Sequence, residues 1–212
     1  MRIVIFGASG RTGNLLTEKA LAAGNEVTAL LRRPAAFPFR DQVRVVEGDA
    51  FNPAAIAETL SGADAVLSAL GARSLRKEDV LERAIPLIVA AMQHNGPRRI
   101  VALGSAGALP SSLDKQDPLR RWIVERIVYT TLLKWPVVSQ RAQWAALSAS
   151  GLDWTMVMPP MLTNGRATGR FRIDADALPR NGSKISRADV ADFMFRQLSS
   201  PEWVQRGVYL CD

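Results

Sequence analysis

Chemistry-bearing side chains are scarce in this chain of 212 residues: one cysteine (Cys211), one histidine (His94) and two tyrosines (Tyr129 and Tyr209). A lone thiol makes no internal disulfide, so the chain is not a disulfide-stapled scaffold, and a reducing, cytoplasmic setting is expected. His94 lies beside Asn95-Gly96-Pro97 and reads as a helix-end residue. With no second histidine or cysteine nearby, neither a metal centre nor a Ser-His-Asp hydrolase is expected. No apolar run approaches the roughly 20 residues of a membrane-spanning helix. The first apolar run is only strand-long and glycines follow it, which is unlike a signal peptide. Acidic residues are the minority, 20 against 27 basic, for a net charge of +7. The arginines are scattered in ones and twos, as in Arg32-Arg33, Arg98-Arg99 and Arg120-Arg121, with no basic helix or tail. That pattern fits a solvated surface or attraction to a small anion, and neither nucleic acid nor a membrane is expected as a partner.

What is present is an alternation of apolar, β-branched runs with longer helical patterns. Strands are expected at Arg2–Phe6, Glu26–Leu31, Val43–Glu47, Ala65–Ala69, Arg99–Gly104, Asp153–Met158 and Val208–Leu210. Helices are expected at Thr12–Ala23, Ala54–Leu60, Lys77–His94 and Arg187–Leu198, and across Leu119–Ser150 with a break near Trp135-Pro136. Ser186 is placed to cap the last helix, with Asp189 three residues on. Strands joined by crossover helices imply an α/β fold: a doubly wound, mostly parallel Rossmann sheet with helices on both faces, in one domain over residues 1–212. Two long loops, Ala106–Pro118 and Pro159–Asp176, leave the carboxyl ends of the fifth and sixth strands, where such sheets bind ligands, so the substrate pocket is expected there.

The segment Ile3-Val4-Ile5-Phe6-Gly7-Ala8-Ser9-Gly10-Arg11-Thr12-Gly13 joins the first strand to the first helix. Gly7 allows a tight turn, Gly10 lets the backbone approach a pyrophosphate, and Gly13 lets the helix pack close to the sheet. N–H groups around Gly10-Arg11-Thr12 would meet the phosphates, with Ser9 and Thr12 hydroxyls in support. The ligand expected is a nicotinamide dinucleotide. An NAD-binding version usually ends its second strand on Asp or Glu, for the ribose hydroxyls. Here Leu30-Leu31 runs into Arg32-Arg33-Pro34, and a guanidinium suits the extra 2′-phosphate, so NADP(H) is the expected cofactor.

Together with these motifs, Gly48-Asp49, Ser68-Ala69-Leu70-Gly71, Leu103-Gly104-Ser105-Ala106, Met158-Pro159-Pro160, Thr168-Gly169 and Ile185-Ser186-Arg187-Ala188-Asp189-Val190 span nearly the whole chain. In them the sequence resembles the atypical short-chain dehydrogenase/reductases with an NmrA-like NAD(P)-binding fold, and within these the flavin reductase (biliverdin reductase B) branch. The resemblance implies that Asp49 and Ala50 border the adenine and that Leu70 and Gly71 line the cofactor near its ribose and pyrophosphate. It places Ser105 beside the nicotinamide, and Pro159 and Pro160, with the residue after them, Met161, as the wall over the ring; Leu162, next along, is expected to line the same apolar pocket. Where that branch has a histidine after the two prolines, this chain has Met161, which removes a titratable group.

Short-chain dehydrogenases protonate a carbonyl with a tyrosine assisted by a lysine four residues on. Four residues after Tyr129 is Leu133, and Lys134 is one place further. On an α-helix that offset, at about 100° per residue, points the ammonium elsewhere. An active site poor in acids suits a conjugated acceptor, because the charge spreads over the ring and water can supply the proton. The expected function is therefore NADPH-dependent hydride transfer to a planar acceptor of flavin, bilin or quinone type by a monomeric enzyme, with Ser105 as candidate catalytic donor. The alternatives are a non-catalytic NADP-binding redox sensor and an epimerase or dehydratase relative. Trp122 and Trp135 are candidate pocket residues, and Arg166, Arg170 and Arg172 are candidates to meet an acidic substrate.

Overall fold

Alternation organises the first strand, β1 (Arg2–Phe6): Ile3 and Ile5 bury on one side of the sheet, Val4 and Phe6 on the other. The computed structural model describes residues 1–72 and 74–212. After β1 come α1 (Arg11–Ala22), β2 (Glu26–Leu31), β3 (Arg44–Glu47), α2 (Pro53–Leu60), β4 (Ala65–Ser68), α3 (Val80–Asn95) and β5 (Arg99–Leu103). The second half holds α4 (Pro118–Ile123), α5 (Lys134–Ser148), β6 (Asp153–Met158), β7 (Met161–Thr163), β8 (Arg172–Asp174), β9 (Lys184–Ser186), α6 (Arg187–Arg196) and β10 (Arg206–Cys211).

Among the described residues the main sheet has eight strands in the order β3-β2-β1-β4-β5-β6-β10-β8, all parallel except β8, which runs antiparallel to β10. This is the expected doubly wound Rossmann architecture. Helices α2, α3 and α5 cover one face, where Ile56, Ile85, Ile88 and Leu147 pack with Val4, Phe6 and Met156. Helices α1 and α6 cover the other, where Leu16, Ala20, Val190 and Met194 pack with Ile3, Ile5 and Val157. Each fully buried aliphatic side chain here contributes about 1.5–3 kcal/mol. The direction of winding reverses between β1 and β4, which opens a crevice at the carboxyl ends of the strands.

Three departures from expectation have local causes. The segment before α5 is π-helical over Val124–Leu132 rather than α-helical. The break falls at Leu133, and Pro136 occupies the first turn of α5, where its missing N–H removes no helical bond. The stretch after β6 is not a plain loop: β7 and β9 pair as a small parallel sheet, and β8 extends the main one. These strands of three residues are too short to show a period. The cap of α6 is as expected, with Ser186 Oγ accepting from the Asp189 N–H at 2.9 Å.

Candidate active site

The turn after β1 is shaped by two glycines that tolerate no side chain. Gly7 has φ +77°, and a Cβ there would lie 2.7 Å from the Ala69 carbonyl oxygen. A Cβ on Gly13 would lie 2.1 Å from the Gly7 oxygen, so α1 can start this close to the sheet only on glycine. Helix α1 opens from an extended Gly10 with no side-chain cap and no acidic residue in its first turn. The N–H groups of that turn and the positive end of the helix dipole are thus left for an anion.

Two adjoining cavities cross the crevice. The first, about 370 Å³, is lined by Gly7, Ser9, Gly10, Arg32, Asp49, Ala50, Phe51, Leu70, Gly71 and Glu78, among others. The second, about 740 Å³, shares Gly10, Ala69, Leu70 and Gly71 with it and adds Arg11, Thr12, Ser105, Leu133, Pro136, Ser139, Gln140, Leu162 and Arg187. A Cβ on Gly71 would meet nothing within 4 Å, because that position faces open groove. The dimensions, the uncapped helix start and the arginine beyond β2 fit a dinucleotide whose adenosine end lies in the first cavity.

Most residues expected at the site are brought to this groove: Gly7, Ser9, Gly10, Arg32, Asp49, Ala50, Leu70 and Gly71 in the first cavity, Arg11, Thr12, Ser105 and Leu162 in the second. Gly13 supports the turn from beneath. Arg33 is exposed and starts a short turn at Pro34, off the lining. The expected wall of Pro159, Pro160 and Met161 is displaced. Pro159 is buried, with its carbonyl accepting the Ala106 N–H at 2.9 Å, and Pro160 is not among the lining residues. On β7 successive side chains point to opposite sides: Met161 is 63% exposed and Leu162 faces the cavity. The loops after β5 and β6 therefore supply only part of the pocket, and the rest comes from α5 and from the segment after β4. Trp122 is exposed and Trp135 lies under Lys77 and Lys134, neither of them lining the groove.

Individual side chains show what each can do. Asp49 Oδ1 accepts the Phe51 N–H at 3.1 Å, which turns the chain so that Phe51 walls the first cavity with Arg83 stacked 4.1 Å from its ring. Ser105 Oγ accepts the Gly107 N–H at 3.5 Å, leaving its O–H to donate into the groove. Ser139 donates to Glu82, with both carboxylate oxygens at 2.8 Å, so that hydroxyl is turned to α3. The only titratable groups on the described lining of the second cavity are Arg11 and Arg187. Arg187 is half-buried; its own desolvation, and then the neighbouring Arg11 charge, hold its guanidinium below the usual range.

Tyr129 and Lys134 do share a cavity, of about 610 Å³, because the π-helix ends at Leu132 and the chain breaks at Leu133 before α5, so no single helical phase relates them. The α-helical reason for separating them therefore fails. They nonetheless lie off the groove, since their cavity shares no described lining residue with it. Burial raises the Tyr129 pKa. Phe51, Gln140 and Arg187 were missed by sequence reasoning; Arg187 had a signal, as the first residue of a helix capped at the carboxyl edge of the sheet.

Among the described residues no helix is long and apolar enough to cross a membrane, and no group of His, Cys, Asp and Glu is arranged to hold a metal. Residues 7–201 match the protein family described as NAD(P)H-binding. A Burkholderia pseudomallei chain named only as a candidate exported protein is 29% identical, with a TM-score of 0.81 and 100% of both chains covered. A Veillonella parvula short-chain dehydrogenase/reductase, solved in complex with NADP, is 20% identical with a TM-score of 0.81, over 100% of this chain and 94% of that one. ChuY of Escherichia coli O157:H7, named as an anaerobillin reductase, is 22% identical with a TM-score of 0.80, over 100% of this chain and 97% of that one.

Proposed function

This chain belongs to the NAD(P)H-binding family, and from that premise we propose that it is an NADPH-dependent reductase of a planar conjugated acceptor, of the flavin, bilin or quinone type. One observation carries the reading: the described lining of the second cavity offers no Asp, Glu, His, Tyr, Lys or Cys. Among its described residues such a site offers no general acid for an isolated carbonyl, and no general base for an epimerase or dehydratase. It has what a flat acceptor needs. Leu103, Leu133, Pro136 and Leu162 exclude water from its faces, Ser105 donates one hydrogen bond, and solvent supplies the proton.

The nicotinamide, when bound, supplies the hydride. The chain's own contribution is binding and orientation. The first-turn N–H groups of α1 take the pyrophosphate, Arg32 the 2′-phosphate, and Ala50, Phe51 and Val80 enclose the adenine. In this reading the chain is of the NmrA-like, flavin reductase-like kind, acts as a monomer without nucleic-acid or membrane partners, and works in the cytoplasm. Support for the acceptor class comes from the groove; ChuY, at 22% identity, adds the fold and an example of a reductase built on it. Against the cytoplasm stands the name of the Burkholderia pseudomallei relative, so fractionation of expressing cells is the test of compartment.

The same lack of acids also favours a second reading, a redox sensor that binds NADP(H) without turnover. Mixing the protein with NADPH and FMN, and following nicotinamide absorbance, separates the two. Saturable oxidation supports the reductase. Tight NADPH binding with no oxidation by any flavin, quinone or bilin supports the sensor.

A further inference from the structure

Beyond the groove lies a further cavity, of about 590 Å³, whose lining includes Arg11, Asn14, Leu15, Phe39, Arg166 and Arg187. It shares Arg11 and Arg187 with the nicotinamide half of the groove and nothing with the adenine half. Three guanidinium groups line it against one carboxylate, Glu18. No carboxylate pairs with Arg11, Arg166 or Arg187 among the described residues. Arg187 is half-buried while Arg11 and Arg166 are exposed, so three like charges meet at the rim of the cavity, an arrangement that attracts an anion.

The arrangement is built rather than incidental. Arg187 Nη1 donates to the Leu162 carbonyl at 3.2 Å and to Asn164 Oδ1 at 2.7 Å, which fixes the fork and leaves Nη2 and Nε without a partner among the described residues. The loop carrying Arg166 is tied down from its other end. Asp189 Oδ1 accepts the Thr168 and Gly169 N–H groups, each at 2.8 Å, and Oδ2 accepts the Ser186 hydroxyl at 2.7 Å. Of the other arginines in this region, Arg172 donates to the Asp212 and Arg180 carbonyls and Arg170 lies outside the cavity.

We propose that Arg187, with Arg11 and Arg166, binds the anionic arm, a carboxylate or phosphate, of the acceptor whose ring system occupies the nicotinamide half of the groove. The inference rests on the reading of that groove as a reductase site. The coenzyme's pyrophosphate is met by the turn at Gly10–Thr12, and its 2′-phosphate by Arg32 in the first cavity. An anion held by Arg11 and Arg187 from the nicotinamide half would therefore belong to the second substrate. A guanidinium whose free N–H groups form a fork matches a phosphate or carboxylate in two-pronged fashion.

Binding, rather than turnover, tests this. FMN and riboflavin share a ring system and differ in the terminal phosphate. Each is titrated into protein saturated with NADP⁺, by calorimetry and by quenching of flavin fluorescence. Wild type should bind FMN about tenfold or more tighter than riboflavin; Arg187→Gln and the surface variant Arg166→Gln should each narrow the gap, and Arg166→Gln, which lies off the groove, should leave NADP⁺ affinity in place. Equal affinity for the two flavins, no FMN binding, or a gap that survives both substitutions would overturn the proposal. So would a parallel loss of NADP⁺ affinity, which would assign the arginines to the coenzyme. Failure of the reductase reading shows separately: phosphate-selective binding without NADPH oxidation leaves this site standing and removes the turnover.

Discussion

Replacing Arg32 by alanine should cost the protein its preference for the phosphorylated coenzyme. Arg32 follows the last residue of β2 and lines the first cavity, where an NAD-binding relative would carry a carboxylate. A hydrogen bond to a charged group contributes about 1.5–3 kcal/mol. Arg32 is exposed, and salt screens exposed charges over about 8 Å at physiological ionic strength, so the lower part of that range applies. About 1.5–2 kcal/mol corresponds to a loss of about ten- to thirtyfold in NADPH affinity. NADH lacks the phosphate and should bind the variant as it binds wild type. Calorimetric titration of both coenzymes into Arg32→Ala measures the difference, and raising the salt should shrink it. Arg33→Ala is the control, since Arg33 lies off the lining and should change less. Equal losses for NADPH and NADH, or a larger effect at Arg33, would refute the assignment of the 2′-phosphate to Arg32.

Two glycines should respond in opposite ways. Gly7→Ala forces a Cβ against the Ala69 carbonyl at positive φ and should destabilise by about 2–4 kcal/mol. By calorimetry that appears as a drop of about 4–16 °C in Tm. Gly71→Val meets open groove, so stability should stay within about 0.5 kcal/mol while the side chain obstructs the coenzyme and NADPH titrations show weakened binding. At Asp189 burial raises the pKa, but hydrogen bonds from Ser186, Gly169 and Thr168 outweigh it and leave the carboxyl below its ordinary value of 3.8. The stability it contributes is therefore present above about pH 4 and lost as pH falls through the lower folded value. Asp189→Asn should melt well below wild type at neutral pH, by about 1.5–3 kcal/mol, and the two melts should converge in strong acid. Ser105→Ala should slow turnover with FMN while leaving NADPH affinity nearly unchanged; an unchanged rate would make Ser105 only a wall of the pocket.

The parallel strands were legible because burial on both faces leaves a continuous apolar run, and β1, β2 and β6 have the limits expected from sequence. The phosphate turn was legible because Gly7 and Gly13 answer to close backbone approach, which no other residue permits. The opposite wall was not. Whether Met161 or Leu162 faces the groove depends on the pairing of β7 with β9, a register no local pattern encodes. Likewise the π-helix at Val124–Leu132 and the break at Leu133 remove the α-helical angle that separated Tyr129 from Lys134, although the pair lines a cavity separate from the groove. Arg187 had only its place at a helix start as a signal, because its neighbours Arg11 and Asn164 come from distant parts of the chain and only the packed fold brings them together.

The central claim is that the groove after β1 holds NADPH. Calorimetric titration of the folded wild-type protein tests it most directly. Saturable one-site binding of NADPH, tighter than NADH, is the expected result. No heat with either coenzyme, oxidised or reduced, would contradict it.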